Sequence, residues 1–287
     1  MATRKLPAPA APTALLPHLF EVLKEMKRTR VKEYLTSGLV HVNDVSVTRH
    51  DHAVGPGDVI EVRSERTPPG RVLPFEVLFE DGYLLAIHKP CGLLTIATER
   101  EKSKTVYSIV NAALETTRER AFVVHRLDRF TSGVLLLAKS EDAKQRVMGN
   151  WKAAEKVYHA LVEGLPVPAE RTLVHHLRED ERLIVHAMDA PTRDSERAVL
   201  TYRIVKPGKT FSLLEIDLET GKKNQIRAQL SRVGHPIAGD AKYGAHTDPI
   251  RRLCLHASSL SVPHPMTGER VKFTAPMPPE MASAAGA

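Results

Sequence analysis

His125-Arg126-Leu127-Asp128-Arg129-Phe130-Thr131-Ser132-Gly133 sets a carboxylate between two arginines, in a turn joining two strongly apolar runs. The flanks, residues 121–124 and 134–138, are rich in aliphatic and β-branched side chains and predict short strands, while Thr131-Ser132-Gly133 carries turn chemistry. Asp128 is thereby placed at a sheet margin. Arg126 and Arg129 are expected to favour its ionised form at neutral pH, which suits a nucleophile or a proton acceptor. A lone aspartate so placed is more commonly a turn cap paired to an arginine, so the other segments of the chain must decide.

His-Arg-Leu-Asp-x-x-Thr-Ser-Gly resembles the catalytic motif of the RluA-like family of pseudouridine synthases, and every fixed position of that pattern is filled. Further motifs follow in the family's order. Residues 77–94, with the acidic turn Asp81-Gly82 and the strand end Lys89-Pro90-Cys91-Gly92, resemble its opening hairpin. Lys156-Val157-Tyr158-His159-Ala160-Leu161-Val162-Glu163-Gly164 is similar to the strand that supplies the active-site tyrosine. Residues 218–227 and 234–244 resemble the arginine segment and its following loop, and Leu255-His256-Ala257 the last motif. The likeness runs from about Val77 to Phe273. It implies an α+β catalytic domain built on a mixed, mainly antiparallel sheet, with Asp128, Tyr158 and Arg227 catalytic and Leu255 walling a pocket for the extruded base. Asp128 would be the essential carboxylate, Tyr158 would stack on the base, and Arg227 would pair with Asp128 to hold it ionised.

The family's Thr-Gly-Arg-Thr-His-Gln-Ile-Arg stands here as Thr220-Gly221-Lys222-Lys223-Asn224-Gln225-Ile226-Arg227. Lysine keeps a charge but loses the bidentate fork, and asparagine keeps hydrogen bonding without the ring. These changes bear on substrate choice more than on catalysis.

The 287 residues carry 41 Lys and Arg against 34 Asp and Glu, a net charge of +7, which favours a polyanionic partner. With 42% hydrophobic content the chain can bury a full core. Cys91 and Cys254 have no metal-ligand spacing and form no disulfide framework, which suits a reducing cytoplasm. The histidines are scattered, no Walker-type loop is present, and uridine isomerisation needs no redox partner or group donor. Neither metal nor cofactor is expected. No apolar run reaches membrane-span length. A glycoside hydrolase would need a second placed acid and an aromatic cleft, at odds with 5% aromatic content and one tryptophan. A non-catalytic RNA-binding or ribosome-assembly factor is opposed by the intact catalytic set.

The Ala/Pro-rich residues 1–14 read as a disordered extension. Residues 15–64 read as two short helices followed by strands, and resemble the small α/β RNA-binding domain of ribosomal protein S four. Lys24, Lys27, Arg28, Arg30 and Lys32 lie within nine residues there, against Glu25 alone, and are expected to contact RNA phosphates, as are Arg126, Arg129, Lys222 and Lys223. Residues 65–75 have linker composition, 76–278 form the catalytic domain, and 279–287 a flexible tail. The expected molecule is a monomeric RNA enzyme acting on ribosomal RNA first and transfer RNA second.

Overall fold

The computed structural model describes residues 3–36, 38–43, 45–63, 73–98, 104–115 and 119–286. Most of the expected linker at 65–75, namely residues 65–72, lies outside the described residues. The chain divides into two compact units, one spanning Met1–Val72 with Ala113–Arg118, the other Leu73–Ala112 with Glu119–Ala287.

In the first unit, β1 (Thr3–Leu6), β2 (Thr13–Ala14), α1 (Leu15–Val22), α2 (Arg28–Thr36), β3 (Val40–Val42), β4 (Val45–Ser46), β5 (Ala53–Val54) and β6 (Ile60–Arg63) follow in order. Leu15 and Leu19 of α1 recur at helical spacing, and both are buried with Val31 and Leu35 of α2 and Val40, Val42, Ile60 and Val62 of the strands. The four-stranded sheet runs β1-β6-β3-β4. Residues 1–14 are therefore not a loose extension where described: Thr3–Leu6 pairs antiparallel with β6 from Thr3↔Arg63 to Leu6↔Ile60, and Leu6 joins the core. The backbone hydrogen bonds of an otherwise open sheet edge explain this order.

In the second unit, a hairpin of β7 (Val77–Glu80) and β8 (Leu84–Lys89) precedes α3 (Val106–Glu115), β9 (Phe122–Val123), β10 (Ser132–Ala138) and α4 (Glu141–Gly149). Asp81 shapes the hairpin turn by accepting the Tyr83 and Leu84 amides, both at 2.7 Å. Then come β11 (Glu155–Glu163), β12 (Glu170–Glu179), β13 (Val185–Met188), β14 (Glu196–Lys206), β15 (Phe211–Leu218), α5 (Gln225–Arg232), β16 (Leu255–Pro263), β17 (Arg270–Thr274) and α6 (Pro279–Ala284). The main sheet runs β13-β12-β14-β15-β11-β16-β10-β8-β7, with β17 on β16 and β9 on β10. All described pairs in it are antiparallel except β10 with β16, which run parallel at Ser132↔His256 and Gly133↔Ala257.

Helix α4 ends at Gly149 and is followed by a 3-10 turn at Trp151–Ala153, with Trp151 half-buried against the core. Two expectations change in detail. Ser132 and Gly133 belong to strand β10, not to the turn. The tail is not flexible through its length, because α6 anchors it with Met281 wholly buried in the core beneath the sheet.

Candidate active site

The turn between β9 and β10 carries Asp128, and both of its neighbours are pinned. Thr95 Oγ1 donates to the Leu127 carbonyl at 2.8 Å and accepts the Leu127 amide at 3.1 Å. The Arg129 carbonyl accepts from the Gly92 amide at 2.9 Å and from Lys89 Nζ at 3.1 Å. Lys89 also donates to the carbonyls of Leu93 and Pro90, at 2.7 and 3.0 Å, so its three ammonium protons brace the hairpin end against the turn that carries Asp128. Burial lowers its pKa to about 8, so the braced form is the charged one at neutral pH.

Two motif residues, His125 and Gly133, explain why the turn begins and ends where it does. Along one edge, β10 pairs with β9 at Leu137 and Ala138 and with β16 at Ser132 and Gly133. Between them, the Leu136 amide donates to His125 Nε2 at 3.0 Å, so the ring fills a gap in the ladder. Gly133 has φ +118, and a Cβ there would stand 2.1 Å from the Ala257 carbonyl oxygen, so no other residue fits the parallel seam.

Asp128, Tyr158, Arg227, Leu255, Arg126 and Lys222 come together in lining one open cleft of about 90 Å3. Leu218, Ile226 and Leu255 supply buried apolar wall. Tyr158 projects from β11 at a bulge, where the strand's register with β16 shifts between Val157 and Tyr158. Burial, and then the charge of Asp128, push its phenol well above the usual range, so Tyr158 offers a ring and a hydroxyl, not a phenolate base.

Arg227, on the first turn of α5, differs from the sequence expectation. Its Nε and Nη2 donate to the two carboxylate oxygens of Asp240, both at 2.6 Å, and Nη1 donates to Asn224 Oδ1 at 2.9 Å. Asp128 receives only the distant side of this group, with Nη1 4.0 Å from Oδ2. Tyr243 lies against the guanidinium, 4.6 Å from ring centroid to carbon. The electrostatics of Asp128 also differ. Its carboxylate retains 34% of its surface, yet the packed walls of the cleft raise its pKa above the ordinary value, while Arg227, Arg126 and Lys89 pull the other way. Arg129 Nε donates to the Gly92 carbonyl at 3.0 Å, and its guanidinium lies over Phe130.

The departures at residues 222–224 have local explanations. Asn224 adopts φ +51, a left-handed conformation that asparagine tolerates, and starts α5. Gln225 braces the preceding turn by accepting from Thr220 Oγ1 at 2.8 Å and from the Lys222 amide at 3.0 Å. Lys222 is ion-paired to Glu196, while Lys223 lies outside the cleft lining and is ion-paired to Glu179. Lys24, Lys27, Arg28, Arg30 and Lys32 are exposed on the first unit. Glu25, the acid among them, is paired to Arg4 at 2.7 Å, and Arg28 and Arg30 lie over Phe20 and Tyr34.

A family model described as RNA pseudouridylate synthase matches residues 83–232, which include Asp128, Tyr158 and Arg227. The chain belongs to that family. It is an RNA pseudouridine synthase, an isomerase. It is 30% identical over 273 residues to the Bacillus subtilis (strain 168) protein YlyB, named an uncharacterized RNA pseudouridine synthase, covering 90% of this chain and 88% of that one. It is 29% identical over 285 residues to ribosomal large subunit pseudouridine synthase D of Pasteurella multocida (strain Pm70), covering 91% and 86%. The fold matches that of human RNA pseudouridylate synthase domain containing 4, with a TM-score of 0.60 at 23% identity over 72% of this chain and 90% of that one.

Sequence reasoning missed Asp240, the buried partner of Arg227, although it stands in Gly239-Asp240-Ala241-Lys242-Tyr243-Gly244, within the loop that resembles the family's. A second acid in that loop, remote in sequence from Asp128, was the signal for it. Lys89 was likewise visible only as part of a hairpin end.

Proposed function

We propose that this pseudouridine synthase isomerises uridine in structured RNA, with large-subunit ribosomal RNA as the substrate and Asp128 as the reacting carboxylate. The observation that carries this is the convergence of Asp128, Tyr158 and Arg227 on one small cleft whose wall includes Leu218, Ile226 and Leu255. The relative in Pasteurella multocida is named for the large ribosomal subunit, which favours ribosomal over transfer RNA.

In this reading the target base leaves its stack and enters the cleft against Leu255 and the Tyr158 ring. Asp128 acts on the nucleoside while its bond from ribose to nitrogen breaks, the uracil turns, and a bond from the same ribose carbon to ring carbon forms. The ring carbon then loses its proton and the freed ring nitrogen gains one, so the product is an isomer. Arg126, exposed at the cleft mouth, and Arg129 contact the RNA backbone. Lys222 and Lys223 do so by exchanging Glu196 and Glu179 for phosphate, a low-cost exchange for partly exposed ion pairs.

The first unit is read as an RNA-binding module, on the strength of its exposed basic helices. The active species is read as a cytoplasmic monomer, consistent with the charge and cysteine usage of the chain. Among the described residues no helix is long and apolar enough to cross a membrane.

Pseudouridine mapping of ribosomal and transfer RNA, from cells lacking the gene and from the same cells complemented with parent or Asp128→Asn protein, tests the substrate. Loss of specific ribosomal sites, restored by the parent alone, is expected. Loss confined to transfer RNA would overturn the substrate assignment.

A further inference from the structure

Asp240 is a nearly inaccessible carboxylate, with 2% of its side chain exposed, and both oxygens are engaged by Arg227. Arg227 is itself only 11% exposed. A guanidinium this buried has one strong bidentate orientation, and Asp240 has it. The third nitrogen is held by Asn224, and the ring of Tyr243 covers the group. Asp128 thus faces an arginine whose fork is already occupied, across 4.0 Å.

We propose that Asp240 is a positioning residue for the isomerisation, holding Arg227 so that a single nitrogen faces Asp128 and preventing the bidentate Asp128–Arg227 pair that would quench the reacting carboxylate. The proposal rests on the reading of Asp128 as that carboxylate. A purely structural Asp240 would instead tie α5 to the loop at residues 234–244 with no bearing on Asp128.

The charged and titratable groups facing Asp128 are Arg227 from α5, Arg126 from its own turn, Lys89 from the end of β8, Asp240 from the loop, and Tyr158 from β11. Of these, Asp240 alone adds negative charge at neutral pH. Its removal acts in one direction by two routes: a like charge disappears, and Arg227 becomes free to close on Asp128. Both lower the Asp128 pKa.

The test compares full-length parent, Asp240→Asn and Asp240→Glu on a uridine-containing ribosomal RNA fragment, with folded fraction measured for each. Asp240→Asn is expected to lower kcat by ~100-fold with KM within ~3-fold, and to shift the acid limb of the pH profile down by about half a unit or more. Asp240→Glu keeps the charge, so its acid limb should stay with the parent even where kcat falls. In parallel, the Asp128 carboxyl is titrated by carbon-13 NMR in parent and Asp240→Asn, which needs no turnover. A downward shift there supports the clamp even if the parent proves inactive on every RNA, which would count against the functional reading alone. If Asp240→Asn fails to fold, an acid limb in Asp240→Glu displaced like that expected for the asparagine variant would overturn the proposal, and one matching the parent with lowered kcat would support it. An unmoved Asp128 titration, with activity falling only in proportion to folded protein, leaves Asp240 a structural tie and ends the proposal.

Discussion

His125 Nε2 accepts the backbone amide of Leu136 at 3.0 Å, and this hydrogen bond makes the motif histidine part of the sheet rather than of the chemistry. The ring lies 5.2 Å from the Trp151 ring and must be neutral at Nε2 to accept. Burial, with Lys156 adding to it, lowers its pKa to about 4. His256 is also held to about 4, chiefly by burial; its Nδ1 lies 2.8 Å from Ser132 Oγ, which in turn accepts from Arg252 Nη2 at 2.7 Å.

Both folded values lie below the ordinary histidine value of ~6.5, so the unfolded chain binds more protons between that pH and 4. The contribution of these rings is whole above pH ~6.5 and is lost as the pH falls toward 4, a change on the order of a few kcal/mol. Urea midpoints should therefore drop between pH 7.5 and 5, and the drop should be shallower in His125→Gln. An equally steep dependence in that variant would place the proton uptake elsewhere.

Asp128→Asn preserves shape and removes the anion. Its kcat is expected to fall by ~1000-fold or more while RNA affinity stays within a few-fold, as measured by single-turnover kinetics and filter binding. Turnover near the parent's would remove Asp128 from the chemistry.

Gly133→Ala combines a left-handed backbone with a Cβ at 2.1 Å from the Ala257 carbonyl oxygen, which has no flexible side chain to yield. A loss of ~3 kcal/mol or more is expected, about 6–12 °C in Tm for a unit of this size. Calorimetry on the full chain measures it, and a Tm within ~2 °C of the parent would show that the seam opens at little cost.

Neutralising Lys27, Arg28 and Arg30 together by glutamine should raise KM on structured RNA more than it lowers kcat. For every phosphate that these side chains cease to neutralise, the slope of log affinity against log salt should flatten by ~0.7 to 0.9. An unchanged slope would mean that the basic helices serve something other than RNA.

Local signals made most of the second unit legible. The strands at 121–124 and 134–138 were expected from their aliphatic and β-branched runs and the hairpin within 77–94 from its acidic turn, and they stand as β9, β10 and the β7–β8 pair. The strand at Thr3–Leu6 was not legible, because its stability comes from pairing with residues 60–63 and its composition is that of a tail. The cleft was legible in its members and less so in its wiring. Asp128, Tyr158 and Arg227 meet, but which acid receives the Arg227 fork depends on a loop folding back behind α5, and no spacing encodes that. The upward shift of Asp128 was hidden for the same reason: flanking arginines are visible in a sequence, and the atoms that bury a carboxylate are not.

The parallel seam between β10 and β16 joins the sheet's two antiparallel halves through residues 124 positions apart, as at Ser132 and His256. Such a closure carries a large loop entropy and is slow relative to hairpin formation. Asp128 lies just before the first residue of that seam, whereas Tyr158 and Arg227 belong to the other half. A nascent or refolding chain therefore acquires its hairpins before it acquires a cleft. Recovery of turnover after dilution from denaturant is expected to lag the return of strand signal, which makes the enzyme's own product the clock for its last folding step.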